Sequence, residues 1–256
     1  MTAEECKAAA ELLAKAIDSG QRVLAATELW PGLSSEDAMT IQQELVSVWV
    51  ARGRRLAGYK LLLARPDQQE RYGTDEPAFA HLFADMQLTS GDRVLASDLW
   101  KVRVEPEIAF VVARDLTGPD CTVADILPAT DYVTTAIELP SARMNWQFGL
   151  ANLLADNGGA RYFVLGPRAT GAKIAGPAIV VRRNGKEELR GSPTAIMGDP
   201  SRAVAWLVNQ LSKRGEALRA GAVVLTGSCT TPMVASQGDE VSVESEGIGS
   251  SSITLI

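Results

Sequence analysis

A chain of 256 residues with one histidine, His81, has too little imidazole for a histidine-rich zinc site or for routine histidine acid–base chemistry. Its three cysteines, Cys6, Cys121 and Cys229, form no Cys-x-x-Cys pair, and an odd number fits a reducing compartment better than a disulfide framework. No apolar run approaches the roughly 18 residues that would cross a bilayer. No Lys/Arg cluster stands out, and the net charge of −6, from 25 Lys and Arg against 31 Asp and Glu, argues against a nucleic-acid footprint. The first twenty residues are rich in Ala, Glu and Lys and lack the apolar core of a signal peptide, so a cytoplasmic protein without membrane or nucleic-acid partners is expected. Internal repeats and low-complexity linkers are absent as well. Carboxylates, lysine and tyrosine are left to carry any acid–base chemistry.

What is present is an ordinary globular composition, with 46% hydrophobic and 22% charged residues. Residues 4–18 are strong helix formers stopped by Gly20, and a second helix is predicted from Ser34 or Ser35 to about Arg52, with Ser34 and Asp37 at capping-box spacing. Residues 58–63 read as a strand, followed by a turn-rich stretch over 65–77. Beyond about residue 92 strand signals dominate: 102–112, 131–139, 162–165, a hairpin at Asn184-Gly185, 223–225, 240–244 and 251–256. One more helix is marked over 201–213, with Asp199 as its cap and Pro200 at its first position. The expected organisation is an α+β chain with a helical N-terminal region over 1–55 and a β-rich catalytic domain over 56–256. Without regular alternation of helix and strand, a doubly wound parallel fold is not expected.

The most informative segment is Val102 to Val112, which contains Glu105-Pro106-Glu107. Side chains alternate along a strand, so Glu105 and Glu107 project from one face and repel each other unless a cation intervenes. The proline between them favours an edge or bulged strand. Glu138 closes another predicted strand just before Pro140. Three carboxylates form a hard, oxygen-rich donor set suited to Mg²⁺ or Mn²⁺, although a Glu-x-Glu pair also occurs on solvated strand faces. Lys60 lies in an apolar strand, where it can act on a substrate or simply extend from the strand end. Asp75 sits in a loop bounded by Gly73 and Pro77, and His81 is expected to pack rather than react.

Gly58-Tyr59-Lys60, the 73–79 run Gly-Thr-Asp-Glu-Pro-Ala-Phe, Leu-Phe-Ala-Asp-Met at 82–86, Glu-Pro-Glu-Ile-Ala at 105–109, Ala-Asp-Asn at 155–157, Leu-Thr-Gly at 225–227 and Glu-Gly-Ile-Gly-Ser at 246–250 occur in one order and spacing. In these the chain resembles the 2-keto-4-pentenoate hydratase and 4-oxalocrotonate decarboxylase group of the fumarylacetoacetate hydrolase superfamily. The resemblance implies a mixed β-roll core with a smaller helical N-terminal region. It places Mg²⁺ or Mn²⁺ on Glu105, Glu107 and Glu138, the active-site lysine on Lys60 and the loop aspartate on Asp75, with Phe83, Asn157 and Thr226 as substrate-binding residues. The implied reaction is hydration of a 2-hydroxy-2,4-dienoate through its 2-keto tautomer, in meta-cleavage of aromatic compounds. A small-molecule 2-keto acid substrate, a homo-oligomer and a complex with a neighbouring pathway enzyme are implied too.

The chain departs from the group at three places. Leu61-Leu62-Leu63-Ala64-Arg65 replaces a Gly-Leu-Thr-Ser-like run, Gly158-Gly159 replaces Ala-Ser, and Ser228-Cys229-Thr230-Thr231-Pro232-Met233 forms an unusual loop. The metal site is kept while the substrate shell is altered, and Arg65 points to an additional anionic group on the substrate. The rivals to a hydratase are a 2-keto acid decarboxylase, an acylpyruvate hydrolase (disfavoured by the single histidine) and a non-catalytic homologue acting as a partner subunit.

Overall fold

The computed structural model of the protein describes residues 1–144, 149–171, 174 and 176–256. Three helices come first: α1 (Ala3–Ser19), the single turn α2 (Ala26–Leu29) and α3 (Ser35–Ala51). The Thr2 hydroxyl accepts from the Glu5 N–H while the Glu5 carboxylate accepts from Thr2 N–H, and Gly20 ends α1 in the left-handed region. Ser34 caps α3 through the Asp37 N–H. Next come β1 (Leu56–Leu62), α4 (Pro66–Tyr72), β2 (Ala78–Phe83), β3 (Gln87–Thr89), β4 (Arg93–Val94) and β5 (Arg103–Val112). They are followed by α5 (Val123–Ala129), β6 (Thr130–Leu139), α6 (Leu150–Ala155), β7 (Tyr162–Leu165), β8 (Ile179–Arg183) and β9 (Lys186–Gly191). The chain ends with α7 (Pro200–Lys213), β10 (Val223–Leu225), β11 (Met233–Val234), β12 (Glu240–Ser245) and β13 (Gly249–Leu255).

The turn-rich reading of 65–77 is corrected by α4. This helix starts on Pro66 and stops at Gly73 in the left-handed region, yet buries none of its residues, so it carries no hydrophobic periodicity to read. The Asn184-Gly185 hairpin forms as read, with both residues at positive φ joining β8 to β9.

Among the described residues, one sheet runs β2-β1-β10-β5-β6-β7-β3, with β11 also pairing to β5, and a second runs β4-β13-β12-β8-β9. The edge-strand expectation for Glu105-Pro106-Glu107 is corrected, because β5 lies inside the first sheet. On the side away from β6, β10 pairs with residues 109–111 and β11 with 103–104. Pro106 falls in the gap between them, where its carbonyl accepts from the Cys229 N–H of a loop. A missing N–H interrupts no ladder there.

The large sheet is buried on both faces. On β5, Ile108, Phe110 and Val112 join a core shared with the second sheet and α7, whereas Ala109 and Val111 join a core with Leu13, Ile41, Leu45 and Trp49 of α1 and α3. The helical region therefore covers one face of the sheet. The odd-numbered residues of β5, Glu105 and Glu107 among them, point to that face.

Candidate metal centre

Strand parity and register bring the three carboxylates together. Glu105 pairs directly with Glu138 across β5 and β6, so their side chains leave the same face, and Glu107 follows two residues along. One carboxylate oxygen from each lies within 4.8 Å of the others. Glu107 and Glu138 are buried and Glu105 is half-buried. Lys60 comes from β1, which is bulged between Leu56 and Gly58. A Cβ on Gly58 would stand 1.9 Å from the Val223 carbonyl oxygen, so glycine is needed for β1 to lie against β10.

The Lys60 ammonium, 2% exposed, ion-pairs with Glu138 and donates to the Gly158 carbonyl at 3.0 Å. Glu107 Oε2 accepts from the Gly227 N–H at 2.7 Å, while its Oε1 is buried without a hydrogen-bond partner. Burial, and then the Glu138 charge, push Glu105 up to about 7. Glu107 is held well above the ordinary carboxylate range by burial and by its two carboxylate neighbours. Three carboxylates facing one ammonium, with a buried orphan oxygen among them, fit a bound divalent cation: the donors are hard oxygens and their excess negative charge calls for a counter-ion.

These groups border a cavity of about 210 Å³. Lys60, Glu105 and Glu138 line it, together with Leu62, Asp156 and Gly158, and Arg65, Arg71, Tyr72 and Arg103 complete the wall near α4. Arg65 is 9% exposed, and most of its donors are committed. Its Nε and Nη2 go to Asp67 at 2.9 and 2.6 Å, and its Nη1 goes to the Thr230 carbonyl. It clamps the unusual 228–233 loop to the start of α4.

The structure does not bring the other expected site residues to this cavity. Asp75 is exposed in the turn before β2. Phe83 is fully buried, edge-on to Trp49 with centroids 5.2 Å apart. The Asn157 amide is spent on β2, accepting from His81 N–H at 2.8 Å and donating to the His81 carbonyl at 2.9 Å. Thr226 Oγ1 donates to the Ile108 carbonyl at 2.8 Å. His81 packs beside Tyr59 and Phe79, where burial pushes its imidazole down to about 4. In two of the sequence markers it is a neighbouring group that meets the cavity or its carboxylates: Asp156 rather than Asn157, and the Gly227 amide rather than Thr226. Asp156 is itself buried against Arg143 at 2.9 Å, a pair no spacing rule reveals because Arg143 lies 13 residues earlier in an irregular segment.

Residues 58–256 match the fumarylacetoacetate (FAA) hydrolase C-terminal family. The chain is 33% identical over 247 residues to 2-keto-4-pentenoate hydratase 1 of Dechloromonas aromatica (strain RCB), covering 95% of this chain and 94% of the relative. It is 30% identical over 257 residues to a 4-oxalocrotonate decarboxylase of Pseudomonas putida, covering 99% and 97%. The solved structure of 4-oxalocrotonate decarboxylase from Pseudomonas putida G7, complexed with magnesium and adipate, aligns with a TM-score of 0.95 at 29% identity, over 100% of this chain and 99% of that one. Likeness in sequence and fold along the whole length makes this chain a member of the fumarylacetoacetate hydrolase family.

Proposed function

We propose that this protein is a divalent-metal-dependent hydratase that adds water to an unsaturated 2-hydroxy-dienoate through its 2-keto tautomer, within aromatic meta-cleavage degradation. The observation that carries the reading is the cluster of Glu105, Glu107 and Glu138, of which Glu138 pairs with Lys60, with Lys60, Glu105 and Glu138 lining one cavity and Glu107 Oε1 unpartnered. Support for the reaction comes from relatives named 2-keto-4-pentenoate hydratase and 2-hydroxyhexa-2,4-dienoate hydratase at 33% and 32% identity. Glu105, Glu107 and Glu138 would hold Mg²⁺ or Mn²⁺, which supplies a Lewis acid against negative charge building on the substrate's 2-oxygen.

The chain's own groups do the rest. Lys60, aimed by Glu138 and the Gly158 carbonyl, is placed to give and take at its Nζ the proton that tautomerisation moves. The Gly227 N–H holds the Glu107 carboxylate in place through its Oε2. Leu62, Leu63 and Leu153 give the cavity an apolar wall in which a conjugated carbon chain is at home. Asp75, outside the cavity, is given no step. The proposal includes a cytoplasmic homo-oligomer, as the family resemblance implies.

The second reading is a decarboxylase, favoured by the TM-score of 0.95 to a 4-oxalocrotonate decarboxylase. Both reactions build negative charge at the same oxygen, so the experiment must separate products. Dienoates are incubated with Mg²⁺ while ultraviolet absorbance, hydrated product and carbon dioxide are followed. Hydrated product without carbon dioxide is expected. Carbon dioxide without hydrated product overturns the hydratase reading. Glu107→Gln is expected to lower kcat/KM and metal affinity at least about tenfold, and turnover that persists in excess chelator rules out the metal.

A further inference from the structure

We propose that Asn157 is a positioning residue for Lys60, setting the Gly158 carbonyl so that the ammonium is held where it meets the substrate; this rests on the 2-keto acid reading above. Asn157 is fully buried and does not line the cavity. Its side-chain amide copies the donor and acceptor of a peptide group. Oδ1 accepts from the His81 N–H at 2.8 Å and Nδ2 donates to the His81 carbonyl at 2.9 Å. Among the described residues β2 ends its sheet, so this amide completes the outer edge of β2 much as a further strand would. On its other side β2 pairs with β1, where Lys60 stands opposite Ala80, the residue before His81. A closed path results, from Lys60 across to β2, through the Asn157 amide to Gly158, and back to Nζ by the 3.0 Å bond. Every link in it is a strand pairing or a hydrogen bond, so the carbonyl is fixed relative to the strand that carries the lysine.

The turn needs such a clamp. Asn157, Gly158 and Gly159 stand at φ +49°, +60° and +64°, three successive left-handed residues, and asparagine is among the few side chains that tolerate this region. Arg143 donates to the Asp156 and Ala160 carbonyls at 2.8 and 2.7 Å, and the Ser141 N–H donates to the Gly159 carbonyl at 2.8 Å. Those bonds anchor the turn toward the segment after β6. Asn157 anchors it toward β2 and β1, the side from which the lysine comes. An ammonium has three donors. Glu138 takes one and the Gly158 carbonyl another, which leaves the third for the substrate. Because Glu138 also belongs to the carboxylate cluster, the neutral carbonyl is the contact of Nζ on which a metal makes no claim.

Two variants separate the clamp from the turn. Asn157→Gly removes the amide while leaving the left-handed conformation accessible, and Asn157→Asp keeps the acceptor but loses the donor. On the Mg²⁺-loaded protein with a 2-hydroxy-dienoate as substrate, N157G is expected to lower kcat about ten- to a hundredfold. KM and the Mg²⁺ dissociation constant are expected to stay within about twofold of the parent, with the kcat of N157D in between. An unchanged kcat overturns the proposal. So does a loss that appears equally in KM and Mg²⁺ affinity, since that reports general damage to the site. Crystal structures of the Mg²⁺-loaded parent and N157G, or N157D should N157G not fold, read the positioning without a substrate. The Gly158 carbonyl is expected within hydrogen-bond distance of Lys60 Nζ in the parent and beyond it in the variant; a carbonyl that keeps its place overturns the proposal. If no dienoate turns over even in the parent, the 2-keto acid reading has failed, and the paired crystal structures decide the positioning role by themselves.

Discussion

Glu105 and His81 are both pushed toward their uncharged forms by burial, yet they bend the pH dependence of stability in opposite directions. A carboxyl raised from 4.5 to about 7 stays protonated in the folded chain while the unfolded chain has ionised. Without metal its contribution is therefore present below about 4.5 and is lost as pH rises to about 7. An imidazole lowered from 6.5 to about 4 does the reverse, contributing above about 6.5 and losing that contribution as pH falls toward 4. Glu105→Gln isolates the first effect. The melting temperature of metal-free E105Q, minus that of the parent, is expected to grow as pH rises from about 4.5 to about 7 and then to level. A difference that stays flat across that window shows the carboxylate is not perturbed as described. Glu105 and Glu107 were legible as residues because strand parity is a local rule; the depth at which they are buried was not.

At the scale of elements, β1 and the loop after α6 meet at Lys60, where Leu62 and Gly158, both in segments that the sequence reading singled out, come together. A Cβ on Gly158 would lie 2.6 Å from Leu62 Cδ2 and 3.2 Å from Lys60 Cε, so the leucine occupies the space that a larger residue 158 would need. Gly158 is also left-handed, at φ +60°. Gly158→Ala is expected to destabilise the chain by about 1–3 kcal/mol through overpacking and backbone strain. Leu62→Ala in the same chain should recover part of that loss, read as a non-additive double-mutant cycle in denaturant unfolding. Strict additivity would mean that the two positions do not compete for space. The sequence singled out both segments but not their contact, because residues 62 and 158 are joined only by tertiary structure. Helix α4 was illegible for a different reason: with no buried face, it has no periodic signal to show.

For the whole molecule, the decisive fact is a sheet covered on both faces. Trp49, Leu45, Ile41 and Leu13 from the helical region share a core with Leu82, Phe83, Ala109, Val111 and Phe163 from the sheet. Gln42, fully buried, donates to the Phe79 and Leu154 carbonyls and so ties α3 to β2 and α6. A fragment covering residues 56–256 would expose this apolar face to water. It is expected to aggregate or to melt without a cooperative transition, whereas the full chain unfolds in one, as scanning calorimetry can follow. A soluble fragment with its own sharp transition would mean that the β-rich part stands alone.

The sequence by itself determined the Ser34 and Asp199 helix caps, the Asn184-Gly185 turn, strands β1, β5, β6, β7, β10, β12 and β13 but not β2, β3, β4 or β11, and the shared face of Glu105 and Glu107, since each of these readings depends on dihedral preference or periodicity within a few residues. The marker residues, taken together, also named the family. Tertiary structure alone decided which groups in those markers reach the cavity. Asn157 and Thr226 have polar side chains that could serve a substrate, but nearby backbone groups claim them first. Pairing Glu138 with Glu105 and setting Lys60 between Glu138 and the Gly158 carbonyl both require strands and loops far apart in the chain to meet. Such meetings depend on sheet order and packing, which no local rule encodes.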